Sequence, residues 1–339
     1  MNFLFTCGGT AGHINPALAV AGILRDRMPD CGILFVGANG KMETDLVPRA
    51  GYDIVTVEVT NIHRSLKPSE IAYNFRSLHN ARQATKDARK IIEDFQPDIA
   101  IGTGGYVCYP VLKAAAQLGI PTIVHESNAV PGLTTKLLSR VVDRVLVGFE
   151  DSRGYYPHPE RVVVTGTPVR RDFFDHTRKE ARRALGITDE RPVLLSYWGS
   201  LGAEVMNGYM AEFIRLECQE GQPFRHIHGA GRNYGAMQKA LAGVSLPPEI
   251  QLREYIYDMA PVMRAADLVI CRAGASTVSE LTALGIPAIL VPSPYVTNNH
   301  QEKNARALEA GGGAEVLLEK DASGQALFQS AARLLREDE

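Results

Sequence analysis

The segment MNFLFTCGGTAGHINPALAVAGIL, residues 1–24, decides the fold. Its first apolar run, Phe3–Cys7, has the length of a buried strand, and the residues after His13 have the apolar spacing of a helix. Between them, CGGTAGH contains three glycines. Glycines between a strand and a helix indicate that the backbone there approaches another group closely. The loop therefore predicts a close neighbour, and His13 ends it with a titratable ring.

Short apolar runs alternate with helical segments along the rest of the 339-residue chain. Near-continuous apolar strands separated by helices are typical of parallel sheets covered on both faces. The predicted strands are Phe3–Cys7, Ile33–Val36, Ile54–Val57, Ile99–Gly102, Thr122–His125, Arg144–Val147, Val162–Val164, Val193–Tyr197, His226–His228, Ile250–Glu254, Leu268–Cys271, Ala288–Val291 and Ala314–Leu317.

The length fits two α/β domains better than one core. QLGIPTIV at 117–124 and ALGIPAIL at 283–290 suggest two halves built to a similar plan. Any helix–strand junction can also read GIP, because glycine ends a helix and proline opens a strand. The strand pattern stops in TGTPVRRD, Thr165–Asp172. We predict domains at 1–165 and 166–322, with a C-terminal helix in 323–339 that can pack back on the first domain.

Composition excludes several classes of protein. A net charge of −2 gives no general reason to expect a nucleic-acid partner. The five cysteines lack metal-ligand spacing and fit a reducing compartment. The N-terminus lacks the features of a signal peptide, and no run of 18 apolar residues could span a membrane. The expectation is a cytoplasmic enzyme.

The sequence matches neither of two common nucleotide-binding loop motifs. A dinucleotide fingerprint needs GxGxxG and an acid at the end of the second strand. Position 10 is threonine, and that strand ends at Phe35–Ala38 without an acid. A phosphate-binding P-loop needs GxxxxGK[ST], but Gly40-Lys41 is followed by Met42 and lacks the upstream glycine.

The segment ASTVSELTAL, Ala275–Leu284, predicts a different kind of nucleotide-binding site. The start of this predicted helix offers backbone N–H groups with the hydroxyls of Ser276 and Thr277 beside them, which suits an anion. Glu280 lies one turn further on and can accept hydrogen bonds from the two hydroxyls of a ribose. The alternative is that a hydroxyl only caps the helix and that Glu280 is a surface residue.

No metal and no cofactor are predicted. Many nucleotide-sugar enzymes hold the diphosphate through a divalent ion bound by Asp-x-Asp, and no two aspartates in this chain have that spacing. A metal-free enzyme neutralises the leaving diphosphate with helix dipoles and basic groups. Arg170 is a candidate for such a group.

A series of motifs runs along the chain from Cys7 to about Ala314. They are CGGTAGH followed by INPALA, GTGGYV, HESN followed by PGLTTK, GTPVR, GSLGA, EYIYDMA and CRAGASTVSELTALGIPAILVP followed by NHQEKNA. No single motif is decisive, but their order and spacing are specific. Together they resemble the MurG family of UDP-N-acetylglucosamine transferases, which complete the peptidoglycan precursor lipid II. The resemblance implies the GT-B fold, with two Rossmann-like doubly wound domains and a cleft between them.

It also implies an inverting transfer of GlcNAc from UDP-GlcNAc to the C4 hydroxyl of the MurNAc-pentapeptide in undecaprenyl-diphosphate-linked lipid I. Such a step needs a base near the hydroxyl and charge stabilisation at the departing diphosphate. Two alternatives stay open, a glycolipid synthase that adds a sugar to diacylglycerol and a UDP-sugar epimerase of the same fold. HESN, NHQEKNA and a basic apolar stripe favour the transferase that acts on lipid I over both alternatives.

On the acceptor side, the resemblance brings Thr10, Gly12 and His13 near the reacting groups. His13 is a candidate base, because histidine titrates near neutral pH, but it can equally bind the diphosphate or orient the sugar. Glu126 is the rival base and pairs with Asn128 in HESN. Both can instead serve loop structure.

On the donor side, the resemblance assigns a contact to each of seven residues. They are Ser200 for the diphosphate, the Ile256 backbone for uracil, Ala275, Ser276 and Thr277 for phosphate and sugar, Glu280 for ribose and Gln301 for GlcNAc. The chain departs from the family at His300, where another member has glutamine, and at Trp198 and Leu201, where the family has GGSQGA. A tryptophan beside the donor loop can narrow the site.

A lipid acceptor requires contact with a bilayer. Residues 64–90 contain seven basic and two acidic residues, a net charge of +5. Ile71, Phe75 and Leu78 share one helical face, with Arg76 and Arg82 in the same segment. Such a stripe suits peripheral binding to the anionic inner face of the plasma membrane. The alternative is a core stripe with a solvated basic face.

Overall fold

The computed structural model describes residues 1–59, 68–199, 203–221 and 223–336; of residues 68–79, 81 and 297 it describes the backbone only. The chain divides into two compact units, one from Met1 to Arg171 and one that begins at Asp172. The segment 165–172, where the strand pattern stops in the sequence, contains this division.

The first unit is built on a seven-stranded parallel sheet with the order β3-β2-β1-β4-β5-β6-β7. Its strands are β1 Asn2–Thr6, β2 Gly32–Ala38, β3 Asp53–Val57, β4 Ile99–Gly102, β5 Thr122–Glu126, β6 Arg144–Val147 and β7 Val162–Val164. Its helices are α1 Ala11–Arg27, α2 Glu43–Arg49, α3 Pro68–Phe95, α4 Cys108–Gln117 and α5 Leu133–Leu138. Short 3-10 turns cover Glu150–Tyr155 and Pro159–Arg161, and a third, Arg171–Phe174, crosses the division into the second unit.

The second unit has a six-stranded parallel sheet with the order β10-β9-β8-β11-β12-β13. Its strands are β8 Val193–Tyr197, β9 Arg225–Gly229, β10 Ile250–Arg253, β11 Leu268–Cys271, β12 Ala288–Leu290 and β13 Ala314–Val316. Its helices are α6 Arg178–Ala184, α7 Glu204–Gln219, α8 Tyr234–Ala240, α9 Met259–Ala265, α10 Ala275–Leu284, α11 His300–Ala310 and α12 Gly324–Leu334.

Every predicted strand is present, and its ends lie within two residues of the predicted ends. Side chains of both sheets alternate between two helical layers. In β1, Leu4 packs in one core cluster and Phe5 in another, and both are fully buried. Burial on both faces explains why these strands are near-continuous apolar runs in the sequence.

The repeated GIP motif has the same structure in both units. Gly119 and Gly285 have φ of +73° and +66°, the left-handed conformation that ends a helix. The next N–H, of Ile120 or Ile286, donates to a carbonyl five residues back, at 3.0 and 3.1 Å. Each proline then precedes a strand. The two halves share this junction, as the repeat predicts.

The last helix, α12, packs against α7 in its own unit, where Phe328 meets Phe213 edge to face at 5.3 Å. That the 323–339 segment also reaches the first unit stays a prediction. In the part of the chain that the structure describes, no helix has the length and apolar character needed to cross a bilayer.

Candidate active site

Two glycine loops of the first unit interlock at the carboxyl ends of β1 and β4, which are neighbours in the sheet. The N–H of Gly8 donates to the carbonyl of Gly104 at 3.1 Å. A Cβ at Gly105, whose φ is +95°, would collide with the Gly8 carbonyl. The backbones therefore touch directly, which only glycine permits.

A buried carboxylate lies directly under the first loop. Glu43, at the start of α2, is fully buried and accepts hydrogen bonds from the N–H of Gly9 at 3.0 Å and of Ala38 at 2.9 Å. A Cβ on Gly8 would collide with Glu43 Oε1, and one on Gly37 would lie 2.6 Å from its Cγ. The close neighbour that the glycines admit is thus internal. Glu43 is not recognisable as a loop neighbour from the sequence, because an acid in the first turn of a helix ordinarily indicates favourable interaction with the helix dipole.

The ring of His13 is fixed from several sides. Its Nδ1 lies 2.9 Å from the carbonyl oxygen of Gly8 and 3.4 Å from the Thr10 hydroxyl oxygen, and its ring lies against the Gly104 backbone. Thr103 Oγ1 donates to the backbone carbonyl of His13 at 2.7 Å. A carbonyl only accepts, so Nδ1 carries the hydrogen and Nε2 of the neutral ring holds a lone pair. Nε2 has no hydrogen-bond partner among the described residues. Thr10 is the exposed N-cap residue of α1, and Gly12 lies in its first turn.

The carboxylate of Glu126, at the end of β5, accepts hydrogen bonds from its own loop. Oε1 accepts from the backbone N–H of Asn128 at 3.1 Å and from its side-chain amide at 3.0 Å. Oε2 accepts from the N–H of Gly132 at 2.9 Å. Glu126 is 6% exposed. Its carboxylate therefore holds the turn from 127 to 132, and the predicted Glu126–Asn128 pair is a real contact.

The segment after β7 is joined to the end of β5. Nε2 of His125 lies 3.0 Å from the carbonyl of Gly166, and burial lowers the pKa of His125. Arg170 lies half-buried four residues further along this segment.

In the second unit, α10 begins without a side-chain cap. Gly274 is its N-cap residue, and Ala275, Ser276 and Thr277 form its first turn, with the latter two partly exposed. Uncapped backbone N–H groups at a helix start form an anion site. Glu280 lies half-buried one turn later. Burial raises the pKa of the Cys271 thiol, and the charge of nearby Glu280 adds to the effect.

A pocket of about 480 Å³ opens beside this helix start, lined by residues of the second unit. Thr277 and Gln301 are both in its wall. The Gln301 Oε1 accepts from the N–H of Ser293 at 2.9 Å, so its Nε2 remains a donor. Arg272 and Glu319 form an ion pair in the same wall.

Trp198 also lines the pocket, beside the donor loop. It is 4% exposed, and its ring packs against His228 with a centroid distance of 6.4 Å. His300 begins α11 beside Gln301. Ser200 and Leu201 lie outside the described residues.

Ile256 follows β10, and its side chain is buried. The side chain packs on Gly229 of β9, where a Cβ would lie 3.1 Å from Ile256 Cδ1. A turn at Tyr257 and Asp258 then leads into α9. That the Ile256 backbone reads the edge of uracil stays a prediction.

The segment predicted to dock on a membrane forms the first part of α3. Ile71, Phe75, Arg76 and Leu78 lie on this helix, but their side chains are outside the described set. Arg82 is exposed. Further along, Lys86, Arg89 and Lys90 are also exposed. Over residues 1–59, 68–199, 203–221 and 223–336, no three His, Cys, Asp or Glu side chains are grouped to hold a metal.

Both units match a known class of enzyme. The N-terminal domain of glycosyltransferase family 28 matches residues 3–147, and its C-terminal domain matches residues 195–339. A solved structure of MurG from Acinetobacter baumannii superposes with a TM-score of 0.72 at 28% identity, over 98% of this chain and 90% of that one. The fold and both domains are those of a GT-B glycosyltransferase, as expected.

Curated relatives identify the family. A protein of Acetivibrio thermocellus is 45% identical over 99% of this chain and 90% of its own length. One of Caldanaerobacter subterraneus is 44% identical over 99% and 92%. Both are named UDP-N-acetylglucosamine–N-acetylmuramyl-(pentapeptide) pyrophosphoryl-undecaprenol N-acetylglucosamine transferase. The chain belongs to this family, the MurG transferases.

The epimerase alternative receives support from the fold alone. A UDP-GlcNAc 2-epimerase from Neisseria meningitidis superposes with a TM-score of 0.65 over 99% of this chain and 92% of that one, but at 16% identity.

Proposed function

We propose that this chain transfers GlcNAc from UDP-GlcNAc to lipid I, the undecaprenyl-diphosphate-linked MurNAc-pentapeptide, and so forms lipid II. The observation that carries the proposal is the second unit's uncapped α10 start, which opens into the pocket that contains Thr277 and Gln301. It offers an anion site and a sugar-sized space in one place, and the family membership supplies the substrates.

The donor is held in four parts. The Ile256 backbone reads uracil, Glu280 accepts from the ribose hydroxyls, and the first turn of α10 binds the diphosphate. The Nε2 group of Gln301 donates to a GlcNAc hydroxyl. Ser200 adds a contact to the diphosphate, as the family pattern predicts.

The reaction is an inverting displacement. The C4 hydroxyl oxygen of MurNAc attacks the anomeric carbon from the face opposite UDP and loses its proton to a base. The bond to the diphosphate oxygen breaks, and UDP leaves with the bonding electron pair. The N-terminal dipole of α10 and the Arg170 guanidinium stabilise the new negative charge, so that no metal is needed.

His13 is the better candidate for the base. Its Nε2 lone pair is available, and its Nδ1–H is held by Gly8. The oxygens of Glu126 already accept three N–H groups within the loop, so this carboxylate positions Asn128 for the acceptor. Thr10 and Gly12, at the start of α1, complete the acceptor-side contacts.

Membrane docking through α3 brings the enzyme to its lipid substrate at the inner face of the plasma membrane. Arg82, Lys86, Arg89 and Lys90 are exposed on this helix, and basic residues near an anionic surface contribute about 1 kcal/mol each. The test is sedimentation with phosphatidylglycerol vesicles. Arg82→Glu with Lys86→Glu should weaken binding, and unchanged binding would remove α3 from the docking surface.

The test of the transfer reaction uses radiolabelled UDP-GlcNAc with a lipid I analogue, diacylglycerol or no acceptor. Label that moves into the lipid I analogue supports the proposal. Label found only in diacylglycerol identifies a glycolipid synthase, and isomerised UDP-GlcNAc without acceptor identifies an epimerase. Either of the last two results would overturn the proposal.

A further inference from the structure

We infer that Glu43 is a positioning residue for the transfer reaction, which acts on His13 through the single peptide group that joins Gly8 to Gly9. The inference rests on the proposed function in naming His13 as the base. Glu43 itself is buried beneath the loop and touches no substrate.

The peptide group between Gly8 and Gly9 is fixed at both of its ends. Its N–H, from Gly9, donates to Glu43 Oε2 at 3.0 Å. Its C=O, from Gly8, accepts from His13 Nδ1 at 2.9 Å. Carboxylate, peptide and imidazole thus form one continuous chain of hydrogen bonds. In such a chain each bond polarises the next, so the carboxylate makes the Gly8 carbonyl a stronger acceptor for His13.

Packing alone does not account for an acid at this position. Within the described parts of the chain, Glu43 has no ion pair, and the N–H groups of Gly9 and Ala38 are its hydrogen-bond partners. A buried carboxylate is costly unless hydrogen bonds compensate its charge. The two carboxylate oxygens therefore each accept one backbone N–H, and one of these belongs to the loop peptide.

The consequence for His13 concerns its tautomer. A peptide next to Gly9, whose φ is +86°, can rotate at little cost, because glycine allows both signs of φ. Rotation would replace the Gly8 carbonyl with an N–H group, which faces Nδ1 favourably only when Nδ1 is unprotonated. Nε2 would then carry the hydrogen and could not accept the acceptor's proton. By holding the N–H of Gly9, Glu43 keeps Nε2 in the basic form.

The test is Glu43→Gln, which keeps the shape but presents an amide NH₂ to one of the two N–H donors. Glu58→Gln is the matched control, because Glu58 is an exposed acid just past the end of β3 and has no contact with the loop. The ¹⁵N spectrum of the His13 ring reports its tautomer directly. We expect the Nδ1–H form in the wild type and in Glu58→Gln, and a mixture with Nε2–H in Glu43→Gln.

Kinetics gives the second readout. We expect kcat of Glu43→Gln to fall roughly tenfold to a hundredfold, as for other groups that orient a functional histidine, while the KM for UDP-GlcNAc stays unchanged. A merely structural role would lower the amount of folded enzyme and leave the tautomer of the folded fraction as it is.

Each outcome decides the inference. An Nε2–H tautomer in the wild type overturns it, and this measurement does not depend on whether Glu43→Gln folds. An unchanged tautomer in Glu43→Gln, with transfer to lipid I intact, overturns it while the proposed function stands. If the tautomer shifts in Glu43→Gln but the wild-type enzyme transfers nothing to lipid I, the positioning role is supported and the proposed function is wrong.

Discussion

Helices α1 and α10 both begin after a strand and a glycine-bearing turn, yet their starts serve opposite purposes. The turn before α1 has more glycines, and the N–H of Gly9 there is already bound to Glu43. The turn before α10 has one glycine, Gly274, and neither helix has a side-chain cap. A carboxylate lies beneath the first, whereas the second opens into a pocket.

The comparison shows that glycine density does not by itself indicate phosphate binding. The glycines at 8 and 37 make room for a carboxylate of the same chain. The single glycine before α10 is followed instead by a helix start that borders a pocket.

The largest expected effect is the fall in kcat when His13, at the start of α1, is replaced. His13→Ala should lower kcat by about 10²–10⁴, because general-base catalysis contributes that much, with the KM for UDP-GlcNAc unchanged. Steady-state kinetics with a lipid I analogue measures both. His158→Ala, at a surface histidine paired with Glu160, is the control. A kcat within about threefold of wild type would show that His13 is not the base.

The next prediction tests the ribose contact of Glu280 on α10, independently of His13 on α1. Glu280→Gln should raise the KM for UDP-GlcNAc roughly tenfold to a hundredfold, since a hydrogen bond to a charged group contributes about 1.5–3 kcal/mol. The tautomer of His13 should not change. Glu302→Gln, at a half-buried acid on α11 that accepts from the Asn299 side chain, should behave as wild type. Equal effects of the two substitutions would contradict the ribose contact.

A smaller effect tests the sugar contact. Gln301→Glu keeps an oxygen for the N–H of Ser293 but replaces the Nε2 donor with an acceptor. We expect the Kd for UDP-GlcNAc to rise about fivefold more than the Kd for UDP, the loss of roughly 1 kcal/mol, because the added negative charge acts on the diphosphate of both ligands. Isothermal titration with both ligands measures the ratio. A parallel loss of UDP affinity would place Gln301 on the nucleotide instead.

The last prediction is that removing metal ions does not change the transfer rate. If the α10 dipole and Arg170 neutralise the leaving diphosphate, EDTA should leave the transfer rate within about twofold. The rate is measured after dialysis against chelator, and again after Mg²⁺ is added back. Complete loss on chelation, restored by the metal, would refute the helix-dipole account.

The sequence by itself determined the two parallel-sheet units, because strands buried on both faces must be apolar along their length and helices must separate them. It also located the α10 start, since the hydroxyls, the acid one turn later and the GIP junction are local patterns. These features depend on neighbours within one or two helical turns.

Only the tertiary structure decided what the first glycine loop is for. Glu43 is 34 residues from Gly9 along the chain, and their contact arises because β1 and β2 are neighbours in the sheet. The same holds for His13, whose ring lies against the Gly104 backbone from the end of β4. CGGTAGH requires a close neighbour, but the strand order determines that this neighbour is a carboxylate, and so determines which nitrogen of His13 keeps its lone pair.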